Sequence, residues 1–156
     1  MIGHEVVTLD KFTVVGISVR TTNQNHKSQG DIAKLWEIFF RNEAIQSIPN
    51  KISNDIYCIY TDYESDYTGE YTTIIGYKVS SLENIPTNLG FTIKEFPESK
   101  YYKYISEGEL PYAVGKTWTH IWQSDIDRRY LADFDVYGDE AKDPKNAKIT
   151  TFLSIK

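Results

Sequence analysis

The segment IYCIYTDYESDYTGEYTTIIGYKVS, residues 56–80, decides how this chain is read. Its two ends, IYCIYT and EYTTIIGYKV, are dense in Ile, Val, Thr and Tyr, which fit a pleated surface. Between them ESDYTG carries Asp, Ser and Gly, the residues of turns. Two such runs around a polar turn predict a β-hairpin. Upstream, DIAKLWEIFFRNEA (31–44) places Ile32, Leu35, Trp36 and Phe39 at helical spacing, with Asp31 as the expected N-cap. Residues 5–20 read as extended, TTNQNHKSQG (21–30) as a polar loop, and IPNKISND (48–55) as another.

The same order returns in the second half. After SLENIPTNLG (81–90), FTIKEF and KYYKYISEG read as extended, with Pro97 between them. YAVGKTWTHIWQSDI (112–126) has Val114, Thr117, Trp118, Ile121 and Trp122 at helical spacing. YLADFDVYG (130–138) and AKITTFLSIK (147–156) read as strands around the polar loop DEAKDPKN. Aligning LWEIFF with TWTHIW sets Trp36 against Trp118. Aligning IYCIYTD with FDVYGD sets Cys58 against Asp135 and Tyr60 against Tyr137. The expected fold class is therefore α+β: duplicated strand-helix-strand-strand units, about 5–80 and 91–156, in one domain spanning 1–156. Neither unit is large enough to bury much surface alone. Joined, they form one mostly antiparallel sheet with two helices on one face and a groove between the halves, where ligands commonly bind.

Composition narrows the function. The chain has 156 residues and a net charge of −5, which argues against a general nucleic-acid binder, since phosphate attraction needs a basic surface. A single cysteine, Cys58, allows no internal disulfide and suggests a reducing, cytoplasmic setting. The N-terminal residues lack the pattern of a signal peptide, and no apolar run is long enough to span a membrane. Aromatic residues make up 14% of the chain, twelve of them Tyr; they suit binding clefts as well as strands.

Catalytic and metal motifs are weak. Gly115-Lys116-Thr117 matches the end of a phosphate loop, but Leu110 stands where the first Gly belongs, and the triplet falls inside a helix. His4, His26 and His120 are far apart, so no metal cluster and no cofactor is signalled. Cys58, on a strand, reads as a small core residue. In YLADFDVYG, strict alternation puts Asp133 and Asp135 on the face of Leu131 and Tyr137, opposite Ala132, Phe134 and Val136. Pattern alone assigns the acid-bearing face to water.

The doubled order, YTDYESDYTGEYTTIIGYKV and DFDVYGDEAKDPKNAKITTFLSIK together resemble the effector-binding domains of AraC-type and MerR-type bacterial regulators, also called GyrI-like domains. The stand-alone forms related to integron-cassette effector-binding proteins are most similar, over Phe12 to Lys156. The resemblance implies a small-molecule ligand, cationic and amphipathic, held in the groove. The family's Phe-Glu-x-Tyr segment, whose Glu meets the ligand's positive charge, corresponds to Phe134-Asp135-Val136-Tyr137. Asp135 thereby becomes the expected groove charge, one methylene shorter, while Asp133 keeps its solvated reading. Around Asp135 the expected ligand-binding set is Trp36, Trp118, Tyr60 and Tyr137, with Glu70, Tyr71 and Tyr101 in support. Trp36 and Trp118 fit core packing equally well, and Trp122 fits the core better. The regulators join this domain to a DNA-binding module; none fits here, so direct nucleic-acid binding is not expected, and any effect on transcription would need a partner protein. Two alternatives follow from the same resemblance. One is a hydrolase of reactive cyclopropane-type compounds using Asp135 and Glu70; the other is a gyrase-inhibitor-like protein binder.

Overall fold

The computed structural model describes residues 3–66 and 68–156. Eight strands form one sheet: β1 (Glu5–Leu9), β2 (Phe12–Thr22), β3 (Ile56–Thr61), β4 (Glu70–Val79), β5 (Thr92–Phe96), β6 (Ser99–Gly108), β7 (Ala132–Tyr137) and β8 (Ala147–Ser154). Among the described residues three α-helices accompany them: α1 (Lys27–Arg41), the single turn α2 (Glu43–Gln46) and α3 (Tyr112–Gln123). The sheet order is β1-β6-β8-β7-β3-β4-β2-β5, and every neighbouring pair is antiparallel. The hairpin of residues 56–80 is β3–β4, as its composition predicts.

The duplication is visible in this order. The elements β1–β2–α1–β3–β4 and β5–β6–α3–β7–β8 exchange under a pseudo-twofold axis between β3 and β7. The first strand of each half crosses over: β1 pairs with β6 of the second half, and β5 with β2 of the first. Cys58 stands directly opposite Asp135 across β3–β7. A twofold through that pair carries Cys58 onto Asp135 and Tyr60 onto Tyr137, the correspondence drawn from the sequence.

Several local expectations are corrected. The extended stretch 5–20 is two strands, because β1 leaves for the far edge of the sheet. Helix α1 begins at Lys27, so Gly30 lies within it and Asp31 is no N-cap. Instead Asp31 Oδ2 accepts the Thr21 hydroxyl at 2.8 Å, which ties the helix to β2. Helix α3 ends at Gln123 and omits Asp125 and Ile126. Tyr130 has φ 56°, a left-handed kink that breaks alternation before β7. Leu131 consequently packs with Phe134 and not with the acids.

Both faces of the sheet are buried. Under α1 lie Val15, Leu35, Phe39, Cys58 and Ile75. Under α3 lie Tyr104, Trp118, Ile121 and Leu153. The opposite face carries an aromatic cluster, with Phe12, Phe96, Tyr101 and Phe134 at its centre. The Phe12 and Phe134 rings are 5.5 Å apart although β4 and β3 separate their strands. A flat sheet would hold those strands about 14 Å apart, so the sheet curls and closes over its own aromatic residues. A sheet concave behind is convex in front, which spreads α1 and α3 apart above β3 and β7. No helix among the described residues is long and apolar enough to cross a membrane.

Candidate ligand-binding cleft

The space between α1 and α3 is a cleft of about 1490 Å³. Helix α1 contributes Ile32, Trp36 and Phe40 to one wall; α3 contributes Val114, Trp118 and Trp122 to the other. Tyr60, Tyr71 and Tyr137 form the floor. The helical spacing that placed Trp36 and Trp118 toward the sheet therefore also places their outer edges on the cleft. Phe40 and Trp122 stand one turn further along each helix, and Trp122 is 45% exposed instead of lying in the core as expected. Its position one turn beyond Trp118 carried that information, since residues four apart share a helix face.

Each tryptophan meets the tyrosine of the other half edge-on. The Trp36 and Tyr137 rings are 5.0 Å apart at 78°, and the Trp118 and Tyr60 rings 5.5 Å apart at 88°. These two pairs are related by the pseudo-twofold. What lies beneath them is not symmetric. Near the axis one half supplies Cys58, buried, its thiol 3.5 Å from the Tyr60 hydroxyl and pushed well above its ordinary value by burial, hence neutral. The other half supplies Asp135 at the matching position.

Asp135 is fully buried, so the assignment of the acid-bearing face to water is wrong for it. Three side-chain donors from other elements replace the water it loses. Trp118 Nε1–H is shared between both oxygens at 3.2 Å, Tyr60 donates to Oδ2 at 3.2 Å, and Thr151 donates to Oδ1 at 2.5 Å. Burial pushes the Asp135 carboxyl up to about 6, against the pull of these hydrogen bonds. Between the unfolded value of 3.8 and about 6 the folded protein binds the extra proton. Asp135 thus contributes stability below pH 4 that is lost as pH rises through 6, on the order of 3 kcal/mol. Urea unfolding of wild type and Asp135→Asn across pH 4–8 should show the variant gaining relative stability as pH rises; a pH-independent difference would show that the carboxyl titrates normally.

Asp133 is also fully buried, contrary to its solvated reading. It accepts from Arg128 Nη2 at 2.8 Å, from Tyr63 at 2.6 Å, and from the backbone and hydroxyl of Ser154 at 2.8 and 3.0 Å. Arg128, unremarkable in SDIDRRY, closes the polar end of the cleft with Tyr63 and Asn23. Nothing in its sequence context signals burial, because its partner is chosen by the kink at Tyr130.

Of the supporting residues, Tyr71 reaches the cleft and donates to Asn23 Oδ1 at 2.6 Å. Glu70 is exposed at the start of β4, 3.7 Å from Arg20, and is not part of the cleft lining. Tyr101 is buried in the cluster on the opposite face, because it is three residues from Tyr104 and so points the other way. Lys116, and Lys142 with its partner Asp139 at 3.1 Å, stand at the mouth. No group of three or more His, Cys, Asp or Glu suited to a metal ion occurs among the described residues.

A twofold-duplicated sheet with a helix on each half and a cleft between them defines an effector-binding domain of the GyrI-like, AraC-type class. Within that class the chain belongs to the family of integron-associated effector binding proteins (Cass2), whose model matches residues 5–155. It is 27% identical to the protein YobU of Bacillus subtilis (strain 168), over 97% of this chain and 96% of YobU. It is similar to the integron cassette protein VCH_CASS2 from the mobile metagenome of Vibrio cholerae: 26% identity, TM-score 0.75, covering 99% of this chain and 96% of that one. The structure of SAV2435 bound to tetraphenylphosphonium shares the fold at 19% identity and TM-score 0.78, covering 99% and 94%. The family is one of effector binding proteins.

Proposed function

We propose that the protein binds lipophilic aromatic cations in this cleft, with Asp135 as the counter-charge. One observation carries the reading: a buried carboxylate that accepts hydrogen bonds from the Tyr60 O–H and the Trp118 Nε1–H, two residues that also line the cavity. A ring whose O–H or N–H donates to a carboxylate gains electron density, so its face attracts a cation more strongly. The carboxylate adds a longer-ranged attraction in a low-dielectric setting. The apolar walls take up the body of the ligand at roughly 25 cal/mol per Å². The tetraphenylphosphonium bound to SAV2435 is of this chemical class. The lysines stand at the mouth, away from the ring-lined floor, so they do not compete for the cation's place.

Tetraphenylphosphonium titrated into the protein tests this. At pH 7.5 we expect saturable binding and a raised Tm, and Asp135→Asn should weaken binding by tenfold or more. Lowering the pH to 5 protonates Asp135 and should weaken wild-type binding by up to about tenfold, with no such loss in the variant. Equal affinity of wild type and variant at pH 7.5 would refute the charge role.

A further inference from the structure

The cleft has a second pole that the cation reading leaves unused. Arg128 is 6% exposed at its side chain, yet among the described residues its guanidinium makes a single ion pair, Nη2 to Asp133. Its Nε–H is buried without a hydrogen-bond partner. The guanidinium lies over the Tyr130 ring at 4.2 Å, which fixes its plane. Arg128 is part of the cleft wall, on the side of Asn23, Tyr63 and Tyr71. A guanidinium offers five N–H donors in a rigid fork, and a buried donor left unmatched is costly. Nε itself has no accessible surface, so an incoming molecule meets the guanidinium through its Nη groups, where Arg128 forms part of the cleft wall.

We infer that Arg128 forms an acceptor-recognising subsite, so that the preferred ligand carries a neutral carbonyl oxygen at the end of its aromatic body. This rests on the proposed use of the cleft for small molecules, and does not require that they be cationic. A neutral acceptor is favoured over a carboxylate by charge balance. Arg128 is already neutralised by Asp133, and a second anion beside Asp133 would meet its repulsion. A carbonyl oxygen accepts from an Nη–H on the cleft side without that penalty, and Nε–H stays out of its reach. The aromatic part then extends over Tyr71 and Tyr60 toward the tryptophans. Tyr63 keeps its hydroxyl on Asp133, and so holds the ion pair in place without competing for the ligand.

The test uses two probes that differ in one group: benzophenone, which has a carbonyl, and diphenylmethane, which does not. Transfer from water favours diphenylmethane, so any preference for the ketone must come from the site. We expect wild type to bind benzophenone about tenfold more tightly than diphenylmethane, the factor that a hydrogen bond to a charged donor supplies. The carbonyl stretch of bound benzophenone should shift to lower frequency in the infrared. The double variant Arg128→Met/Asp133→Asn removes the donor without stranding a buried charge, and should abolish both the preference and the shift while still binding diphenylmethane. Equal affinities in wild type, binding of neither probe, or an unchanged preference in the double variant would overturn the subsite. Failure of tetraphenylphosphonium to bind, with the ketone preference intact, would instead overturn the cation reading and leave the subsite standing.

Discussion

Replacing Arg128 by Ala is expected to lower the unfolding free energy by about 3–5 kcal/mol. The substitution strands Asp133, which has no exposed surface and no other cationic partner among the described residues. Tyr63 and Ser154 still donate to it, but hydrogen bonds alone do not replace a counter-charge in a dry interior. In a chain of this size the loss corresponds to a Tm reduction of roughly 10 °C. The companion variant Arg128→Ala/Asp133→Asn should regain a large part of it, because the uncompensated charge is gone. Urea unfolding of the two variants and wild type gives the result directly. A loss below about 1 kcal/mol for Arg128→Ala would mean that water from the cleft reaches Asp133 and solvates it. The pair sits at the cleft's polar end, so ligands that fill this end should raise the stability of wild type more than that of the double variant.

Gly76→Ala is expected to be at least as damaging. Gly76 of β4 faces Gly16 of β2 across the sheet. A Cβ on Gly76 would stand 2.2 Å from the Val15 carbonyl oxygen, and one on Gly16 2.2 Å from that of Ile75. Both obstacles are backbone, so no rotamer change relieves them. The strands would have to separate where the sheet curls, disturbing Val15, Ile75 and the clusters on both faces. Overpacking of this kind costs about 3 kcal/mol or more. Soluble yield and urea midpoint report it, and a variant unfolding within 0.5 kcal/mol of wild type would show that the strands yield freely. The consequence extends to binding, because the curl sets the spread of the helices and hence the width of the cleft.

The two halves differ in how readily they were legible. Alternating Ile, Tyr and Thr around a polar turn identified β3–β4, and the recurrence of Trp36 with Phe39 and of Trp118 with Trp122, at three and four residues, identified both long helices, because these signals are local. The start of α1 was misplaced: Asp31 looks like a cap in sequence, yet its carboxylate is engaged by Thr21 of β2, a contact no local rule contains. Tyr101 and Glu70 were plausible site residues by type and failed by orientation. Alternation decides the face of a strand residue only when the register is known, and β6 takes its register from β1 and β8. Arg128 and Tyr63 went unnoticed because they become site residues only through Asp133.

By itself the sequence determined the element types, the internal duplication, the matching of Tyr60 with Tyr137 and Cys58 with Asp135, and the aromatic character of the groove. All follow from short-range periodicity and from likeness between two segments. The tertiary structure alone decided the fate of the acids. A strand face bearing Asp133 and Asp135 reads as wet when only neighbours in sequence are counted. It is dry because donors from α3, β3, the loop after β3, β8 and the segment before β7 converge on it, the nearest five residues away in sequence and the farthest seventy-five. Burial of a charge is settled by the partners that surround it in space, and those are assembled only when the two halves close on each other.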